Sequence, residues 1–490
     1  MTSFADLGVP TALVTRLAGQ GITAPFPIQT ATLPDSLAGR DVLGRGRTGS
    51  GKTLAFALPL VLRLAGGRSS GRRRPRGLVL CPTRELATQI DATLAPLAAT
   101  LGLRTTTIFG GVSQNKQVAA LDAGVDVVVA CPGRLEDLLN QRLLTLDGVE
   151  TTVLDEADHM ADLGFLPGVK RILDRTPRGG QRLLFSATLD NGVDALVKRY
   201  LTKPVEHSVD SAESPVAAMT HHVLAVADVA AKSEVVRQLA GGTGRRLLFM
   251  RTKHQAKKLT KQLMAEGIAA VDLHGNLSQS ARERNLAAFG SGAANVLVAT
   301  DIAARGIHVD DIELVVHVDP PAEHKAYLHR SGRTARAGAA GVVVTLMLPE
   351  QRADVRTLTR AAKITAEPRH VVPGDATVTG LAGPQAPRRA VVPVPAVAPR
   401  PARNPRGADP RRGQSAGGRQ ASRRQGRYQA RADEAASTAM PSVNGARTQD
   451  INAGRTTAPS RTRAVRPSGA PASRTRTSSQ RAAGSGFSAR

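Results

Sequence analysis

Short apolar runs alternate with longer amphipathic segments along most of this chain. Runs such as Gly77–Leu80 (GLVL) and residues 125–130 end in turns rich in Gly and Pro, so they predict buried strands. Between them, apolar residues recur at helical spacing, and residues 54–64 form one such predicted helix. Strands that alternate with helices predict an α/β fold, in which a parallel sheet carries helices on both faces. Ligands of such sheets bind beyond the carboxyl ends of the strands.

The alternation occurs twice along the chain. We expect one domain over residues 1–204 and a second over residues 221–370. Residues 205–220 mix Pro, Ser and small residues, which predicts a linker between the domains. Residues 371–490 lose the apolar periodicity, and we expect a disordered basic tail because too little apolar surface remains to offset chain entropy.

Charge is concentrated in that tail. The whole chain carries a formal net charge of +26, and residues 376–490 hold 21 arginines against four acids. Such a block usually indicates a polyanionic partner, most often nucleic acid, and the alternative is a tail that only keeps the protein soluble. Tyr428 and Phe487 are its only aromatic residues, so we expect it to contact phosphates rather than stack on bases.

Composition indicates a protein of the cytoplasm without a membrane partner. Two cysteines, Cys81 and Cys131, form neither a disulfide framework nor a zinc motif. The first ten residues lack the basic and apolar regions of a signal peptide, and the longest apolar run, about residues 55–62, is too short to cross a bilayer. Abundant Ala and Arg with no Trp suggest a GC-rich bacterial source.

A glycine-rich loop, GRTGSGKT, lies between a predicted strand and a predicted helix at residues 46–53. Glycines let backbone N–H groups approach a phosphate, and the helix N-terminus favours its negative charge. Lys52 can reach the β- and γ-phosphates, and the Thr53 hydroxyl can bind Mg²⁺. The alternative is a flexible loop that matches by chance. The predicted nucleotide contacts are Thr48, Gly49, Ser50, Gly51, Lys52 and Thr53.

Acidic residues follow a later strand, Thr151–Leu154, in the order Asp155-Glu156-Ala157-Asp158. Asp155 can hold Mg²⁺, and Glu156 can orient and polarise the water that attacks the γ-phosphate. The hydroxyls of Ser186 and Thr188, at the end of the next strand, can bind Asp158. Together with the glycine-rich loop, these residues predict an NTPase.

These motifs and their order resemble the DEAD-box ATP-dependent RNA helicases of superfamily 2 over about residues 4–370. The resemblance implies two tandem RecA-like domains, ATP with Mg²⁺, and RNA, single-stranded or in short duplexes, as the partner. It implies that Phe4 and Gln29 contact adenine, and that Asp158, Ser186 and Thr188 couple hydrolysis to strand separation. The implied RNA contacts are Pro82, Thr83, Arg84, Gly110, Gly111, Pro132, Gly133, Arg134, Arg251, Gln279, Arg282 and Thr300.

The second domain has no glycine-rich phosphate loop and offers arginines instead. Arg333 and Arg336, three residues apart, are predicted to stabilise γ-phosphate charge once the domains close. The resemblance also implies nucleotide contacts at Gly306 and at position 308. His308 stands where the family usually has an Asp that contacts the ribose, and Ala335 stands where Gly is usual.

The sequence therefore predicts an enzyme whose RNA-stimulated ATP hydrolysis drives local duplex unwinding or ribonucleoprotein remodelling. An alternative is an RNA chaperone or annealing scaffold that acts mainly through its basic tail. A DNA helicase is less favoured, because the motifs resemble the RNA-specific family. The sequence leaves open the RNA substrate, the pathway, the oligomeric state and the role of the arginine-rich loop at residues 68–76.

Overall fold

The computed structural model describes residues 2–46, 49–67, 71–189, 191–209, 219–304, 309, 311–335 and 341–388. They form two α/β domains, each built on a parallel sheet of seven described strands. This confirms the predicted fold class. Within these ranges no helix is both long and apolar enough to cross a membrane.

The first domain has the strand order β3-β4-β2-β5-β6-β1-β7. Its strands are β1 (Val42–Arg45), β2 (Gly77–Leu80), β3 (Thr105–Ile108), β4 (Val127–Ala130), β5 (Thr151–Leu154), β6 (Gln181–Ser186) and β7 (Val205–Ser208). Its helices are α1 (Thr11–Ala18), α2 (Pro27–Leu37), α3 (Lys52–Leu64), α4 (Arg84–Thr100), α5 (Gln114–Ala123), α6 (Pro132–Asn140), α7 (Ala157–Asp162), α8 (Leu166–Leu173) and α9 (Asn191–Tyr200).

The second domain has the strand order β10-β11-β9-β12-β13-β8-β14. Its strands are β8 (Met219–Ala225), β9 (Arg245–Phe249), β10 (Ala270–Leu273), β11 (Val296–Ala299), β12 (Ile312–His317), β13 (Gly341–Met347) and β14 (Pro368–His370). Its helices are α10 (Val229–Ala240), α11 (Lys253–Ala265), α12 (Gln279–Gly290), α13 (Asp301–Ala304), α14 (His324–Ser331), α15 (Arg352–Ala361) and α16 (Ala376–Ala382), with a 3₁₀ turn at Pro349–Gln351.

Central strands are buried on both faces, which explains why they read as continuous apolar runs. In β2, Val79 packs in the core on one face of the sheet, and Leu78 packs in the core on the other face. In β4, Val127 and Val128 divide in the same way. Alternate side chains of a strand point to opposite faces, so helices must cover both sides. The loops at the carboxyl ends are left to carry the polar residues.

The expected linker at 205–220 begins too early. β7 pairs with β1 in parallel, from Val205 opposite Val42 to Ser208 opposite Arg45, so residues 205–208 complete the first sheet. β8 starts at Met219, and residues 210–218 between the two lie outside the described residues. The strand was missed because it covers only four residues, three of them polar (VEHS).

The expected disordered tail also begins too early. Val371, Val378 and Ala382 pack in the core of the second domain, and α16 lies against α10. The buried Arg246 donates from Nε to the Leu239 carbonyl (2.7 Å) and from Nη2 to the Ala382 carbonyl (2.6 Å), which fastens the end of α16 to the domain. Residues 371–388 are therefore part of the fold. The predicted disorder beyond them concerns 389–490, which lie outside the described residues.

Candidate functional site

The glycine-rich loop joins the end of β1 to the start of α3. Gly49 and Gly51 both have φ of +89°, a conformation that favours glycine. A Cβ on Gly51 would lie 2.4 Å from the Phe26 ring and 2.5 Å from the Gln29 amide, so only glycine fits there. Gly51 precedes the helix, and among the described residues no side chain caps that helix N-terminus. Its N–H groups therefore remain available to an anion.

Gln29 supports this loop from α2. Its Oε1 accepts from the Phe26 backbone N–H, and its Nε2 donates to the Gly51 carbonyl, each at 2.9 Å. Phe4, expected beside Gln29 as a nucleotide contact, is 1% exposed and packs in the core of the first domain, the core that also holds Leu13 and Leu17 of α1. The first helix, α1, begins only at Thr11, after the turn that holds Phe4. Phe26 is instead the aromatic side chain at the loop, 49% exposed, and the sequence reading missed it.

Lys52, the first residue of α3, faces the acids that follow β5. Its Nζ lies 2.8 Å from the Gly46 carbonyl and 3.4 Å from Glu156 Oε1, and the side chain is 5% exposed. Burial lowers the pKa of Lys52, but the three surrounding carboxylates outweigh burial and raise it. Lys52 is therefore charged, and it lies at the N-terminus of α3, which no described side chain caps. Ser50 Oγ is also buried there, without a hydrogen-bond partner among the described residues, which fits a site shaped for a polyphosphate.

The two acids after β5 differ in their titration. Burial raises the pKa of Asp155 to about 7, although Lys52 opposes the shift. Burial also disfavours ionised Glu156, but Lys52, helped by His159 and by two side chains of the second domain, holds the pKa of Glu156 well below its usual range. Glu156 has a left-handed backbone, φ +53°, at the start of α7. Such a conformation costs energy in a non-glycine residue and is common at functional sites.

Oxygen donors suited to Mg²⁺ meet at this edge of the sheet. Asp155 is 2% exposed, with Oδ1 accepting from the Glu156 backbone N–H at 3.0 Å. A carboxylate that burial disfavours gains its charge back beside a divalent cation. The hydroxyl of Thr53, on the first turn of α3, completes a donor set of the hard oxygen type that Mg²⁺ prefers. The described residues hold no cluster of three His, Cys, Asp or Glu side chains that would form a protein-only metal site.

Asp158 connects the acidic turn to the end of β6. Its Oδ2 accepts from the backbone N–H (3.0 Å) and the hydroxyl (3.1 Å) of Thr188. The Ser186 hydroxyl accepts from the Asp158 backbone N–H at 3.2 Å, so both hydroxyls bond Asp158 as predicted. The Ser186 carbonyl accepts from the Gly46 N–H at 3.1 Å. Ser186 therefore links the phosphate loop directly to Asp158.

Side chains of the second domain reach the acidic turn of the first. The two side chains of the second domain that lower the pKa of Glu156 are Arg333, just after the end of α14, and His329 in its last turn. The rings of His159 and His329 face each other with centroids 6.2 Å apart. Arg333 is 6% exposed, and Arg330 beside it forms a bidentate pair with Asp301 at the start of α13. The site is therefore assembled from both domains.

A buried ion pair joins the domains on the other side of the loops. Arg282 Nε in α12 lies 2.7 Å from Glu85 Oε1 in α4, and both side chains are nearly buried. Gln279 also donates to Glu85 (3.2 Å), and Arg84 lies 3.5 Å from Gln279 Oε1. Gln279 and Arg282 were expected to bind RNA. In this arrangement both contact Glu85, an acid that the sequence motifs did not single out, and their role in RNA binding stays a prediction.

The other expected RNA contacts of the first domain lie on loops after β2, β3 and β4. Arg84 packs against Gly111 so closely that a Cβ there would come within 1.9 Å of its guanidinium. Arg134 donates to the Val112 carbonyl at 3.4 Å, which joins the third loop to the second. Thr83 caps α4 by accepting from the Leu86 N–H. Gly110 borders this cluster, Pro132 is buried, and Gly133 is exposed.

The matching loops of the second domain follow β9 and β11. Arg251 is exposed and its backbone N–H donates to Asp319 at 3.0 Å. Thr300 accepts at its carbonyl from Ala303 and Ala304, which starts α13. Four predicted site residues lie outside the described residues, namely Thr48, Gly306, His308 and Arg336.

The described part of the arginine-rich loop is tied to its own domain. Arg73 forms a bidentate pair with Asp122, Arg74 pairs with Asp147, and Arg76 pairs with Glu150. Arg76 is buried and also donates to the Leu64 carbonyl. These ion pairs hold the described part of the loop against the first domain, so the three arginines have a structural role.

Comparison with known proteins places this geometry in a family. The profile described as "DEAD/DEAH box helicase" matches residues 26–196, and that described as "Helicase conserved C-terminal domain" matches residues 231–338. The chain is 42% identical over 367 residues to "DEAD-box ATP-dependent RNA helicase 3A, chloroplastic" of Zea mays, covering 73% of this chain and 49% of that protein. It thus spans about half the length of that relative.

A shorter relative and a solved structure agree. The chain is 35% identical to "DEAD-box ATP-dependent RNA helicase CshA" of Bacillus cereus, covering 74% of this chain and 69% of that protein. The structure "S. cerevisiae Dbp5 bound to RNA and ADP BeF3" matches with a TM-score of 0.69 and 27% identity, covering 78% of this chain and all of that one. The two α/β domains are therefore tandem RecA-like domains, and the chain belongs to the DEAD-box helicase family of superfamily 2.

Proposed function

We propose that this protein is an ATP-dependent RNA helicase, in which RNA stimulates ATP hydrolysis and hydrolysis drives local unwinding or ribonucleoprotein remodelling. The observation that carries the proposal is the composite site at Glu156. Lys52 of the first domain contacts this acid, and the His329 ring of the second domain faces His159 on the turn that Glu156 begins. A site completed only by both domains makes catalysis depend on their contact.

Each group has a role in hydrolysis. Lys52 exchanges Glu156 for the β- and γ-phosphate oxygens and offsets their charge. Glu156, kept ionised, orients the attacking water and accepts its proton, and Arg333 stabilises charge on the γ-phosphoryl oxygens. Thr53 and Asp155 hold Mg²⁺, which when bound neutralises negative charge on the phosphates. Gln29, through Gly51, fixes the loop that receives the nucleotide.

RNA is the proposed partner because cationic loops follow equivalent strands in both domains. Arg84 and Arg134 stand beyond the first sheet, and Arg251 stands beyond the second. A strand lying across these loops contacts both domains at once, so it favours the arrangement that completes the ATP site. ATP and RNA then strengthen each other's binding by the same factor. The RNA named with the Dbp5 structure supports this choice of partner.

Coupling between the two ligands is proposed to run through Ser186. This residue bonds the phosphate loop at Gly46 and the Asp158 backbone, while Thr188 bonds the Asp158 carboxylate. A shift of the loop on phosphate release therefore displaces Asp158 and the turn that faces His329 of the second domain. Domain separation and release of RNA follow.

The test is ATP hydrolysis by the purified protein, with and without single-stranded RNA. We expect RNA to stimulate turnover, and Glu156→Gln to lower kcat by roughly 10²–10³ while ATP binding persists, because only the proton acceptor is lost. Single-stranded DNA serves as the matched polymer and should stimulate far less. An equal rate of ATP hydrolysis with and without RNA, or a fully active Glu156→Gln variant, would refute the proposal.

A second candidate function, annealing or scaffolding of RNA, is favoured by the 21 arginines after residue 375. Because residues 376–388 belong to the fold, the informative truncation ends at Arg388. We expect it to keep RNA-stimulated hydrolysis but to bind single-stranded RNA more weakly, with a log–log salt slope reduced by about 0.7 for each phosphate that the tail no longer neutralises. Duplex separation decides between the candidates, since a scaffold anneals without ATP-driven unwinding. An unchanged salt slope would leave the tail without a role in RNA binding.

We further propose that the protein acts in the cytoplasm of a bacterium. The Bacillus cereus relative supports this, whereas the Zea mays relative is named as chloroplastic. Fractionation of the source cells with an antibody against the protein checks it, and recovery from an organelle would refute it.

A further inference from the structure

Both cysteines of the protein lie side by side at the ends of two neighbouring strands. β2 and β4 pair in parallel with Leu80 opposite Ala130, and Cys81 and Cys131 are the next residues of each strand. The Cys81 backbone N–H donates to the Ala130 carbonyl at 3.0 Å, so the pairing continues to this point. Neighbouring strands are about 4.8 Å apart, within the 4.4–6.8 Å range of Cα separations that disulfides span.

The two side chains also share one face of the sheet. Val79 of β2 and Val129 of β4 pack in the same core, and two residues farther along each strand Cys81 lies in that core while Cys131 packs against it. The Cys81 thiol lies 3.8 Å from the Ala130 carbonyl oxygen, so it faces the end of β4 from which Cys131 follows. Cys81 is fully buried, and Cys131 is half-buried at the surface. The Cys131 thiol is thus accessible to a small solute, whereas the Cys81 thiol is buried next to it.

The pair lies directly beneath two of the loops assigned to RNA. Cys81 lies three residues before Arg84, the first residue of α4. Cys131 directly precedes Pro132, the first residue of α6, which also carries Arg134. Arg84 and Arg134 both contact the loop that follows β3, Arg84 at Gly111 and Arg134 at Val112, so that loop connects the other two. Any change in the spacing of the two thiols is therefore passed to both arginines.

We propose that Cys81 and Cys131 are an oxidisable dithiol, and that their disulfide, formed by hydrogen peroxide, weakens RNA binding reversibly. The Cys131 thiolate attacks peroxide, which gives a sulfenic acid and releases hydroxide that takes up a proton as water. Cys81 sulfur then displaces the sulfenic hydroxyl, and its proton leaves with that hydroxyl as a second water. Two thiols lose two electrons in total, and one peroxide is reduced to two waters. A small thiol reverses the reaction by disulfide exchange.

The expected effect on RNA follows from geometry. A disulfide brings the two Cβ atoms to about 3.8 Å, closer than parallel neighbours in a sheet normally stand. The strand ends must therefore approach each other, and the loops above them, with Arg84 and Arg134, move away from the spacing that suits a phosphate backbone. A disulfide that distorts its surroundings is also the kind that thiols reduce readily.

The experiment uses the full chain, reduced, desalted and exposed to hydrogen peroxide. We expect the intact mass to fall by two hydrogen atoms and the thiols titrated in denaturant to fall from two to none. The dissociation constant for a labelled single-stranded RNA should rise several-fold and return after reduction. Cys131→Ser keeps a small polar side chain at the half-buried position, and this variant should bind RNA equally well before and after peroxide.

Three results would overturn the inference. They are an unchanged mass, a gain of oxygen at Cys131 in place of the disulfide, and a disulfide that forms without a change in RNA affinity. Equal sensitivity of Cys131→Ser to peroxide would count against it as well. The effect on RNA rests on the proposed function, but disulfide formation does not. Reduced protein that fails to bind RNA would refute the proposed function, while the mass measurement would still decide the disulfide.

Discussion

The two domains share one scaffold and differ in what they do with its first loop. Their strand orders are identical once β8–β14 are matched with β1–β7. Lys52 stands seven residues after the end of β1, and Lys232 stands seven residues after the end of β8. Glu156, which Lys52 contacts, is the second residue after β5, and Asp319, which Lys232 contacts at 3.0 Å, is the second residue after β12. The lysine–acid pair is thus present twice.

The difference lies at the N-terminus of the following helix. In the first domain, Gly51 leaves the start of α3 without a side-chain cap. In the second, Asp228 Oδ1 accepts from the Ala231 N–H at 2.8 Å and caps α10. A carboxylate at this place occupies the donors that a phosphate would use and repels its charge. The shared scaffold thus supplies the lysine and the acid in both domains, and glycine at the helix start turns the pair of the first domain into a phosphate site.

The largest expected difference follows from replacing each lysine by methionine. Lys52→Met removes the charge that faces the phosphates, and we expect kcat for ATP to fall by roughly 10²–10³. Lys232→Met leaves the ATP site intact, so turnover at low temperature should stay within a few-fold of the unsubstituted protein. It leaves Asp319 nearly buried without its cation, which should cost about 3 kcal/mol of stability in the second domain.

Paired measurements of turnover and of urea unfolding check these two substitutions together. A Lys232→Met variant that unfolds at the usual urea concentration would show that the second pair is not structural. Loss of ATP turnover in a folded Lys232→Met variant would break the comparison itself, because the second pair would then take part in catalysis.

An intermediate effect is expected at the ion pair that joins the domains. Glu85→Gln removes the charge that Arg282 meets at 2.7 Å and should weaken the closed arrangement. We expect RNA-stimulated turnover to fall roughly tenfold, equivalent to about 1.4 kcal/mol of lost coupling, with turnover in the absence of RNA little changed. The measurement is ATP hydrolysis titrated with single-stranded RNA.

A matched control is Glu136→Gln, which removes an exposed pair with Arg171 inside the first domain. Exposed pairs contribute little, so this variant should behave as the unsubstituted protein does. Equal loss in both variants would show that the Glu85–Arg282 pair has no special role in closure. Loss of turnover without RNA as well would place the effect in the first domain alone.

Much of the architecture could be predicted from the sequence, because the signal is local. The strands Gly77–Leu80 and Thr151–Leu154 were predicted to the residue, since short apolar runs bounded by polar turns leave little freedom. The phosphate loop and the acids after β5 were found in the same way, because each motif is contiguous in sequence. The closeness of Lys52 and Glu156 then follows from adjacent carboxyl ends in one sheet.

Contacts that depend on distant residues could not be predicted. β7 is a strand because β1 offers it a partner, and α16 belongs to the fold because Val378 finds a core, although its sequence (ATVTGLA) carries almost no helical period. The ion pair between Arg282 and Glu85 joins residues of different domains, so no local pattern indicates it. The placement of Cys81 beside Cys131 likewise depends on the strand order β4-β2, which no local pattern specifies.

The smallest expected effect concerns the cap that distinguishes the second domain. Asp228→Ala removes the side-chain acceptor of the Ala231 N–H and should lower stability by about 1 kcal/mol, the usual cost of losing an N-cap. Asp228→Ser restores an acceptor and should recover most of that loss. ATP turnover should be unchanged in both, because an open helix start without glycine cannot form the loop seen before α3. Urea midpoints and ATP affinity measure the two quantities. A second nucleotide bound by the Asp228→Ala variant would show that the carboxylate alone excludes phosphate from the second domain. Glycine at the helix start would then not be required for a phosphate site.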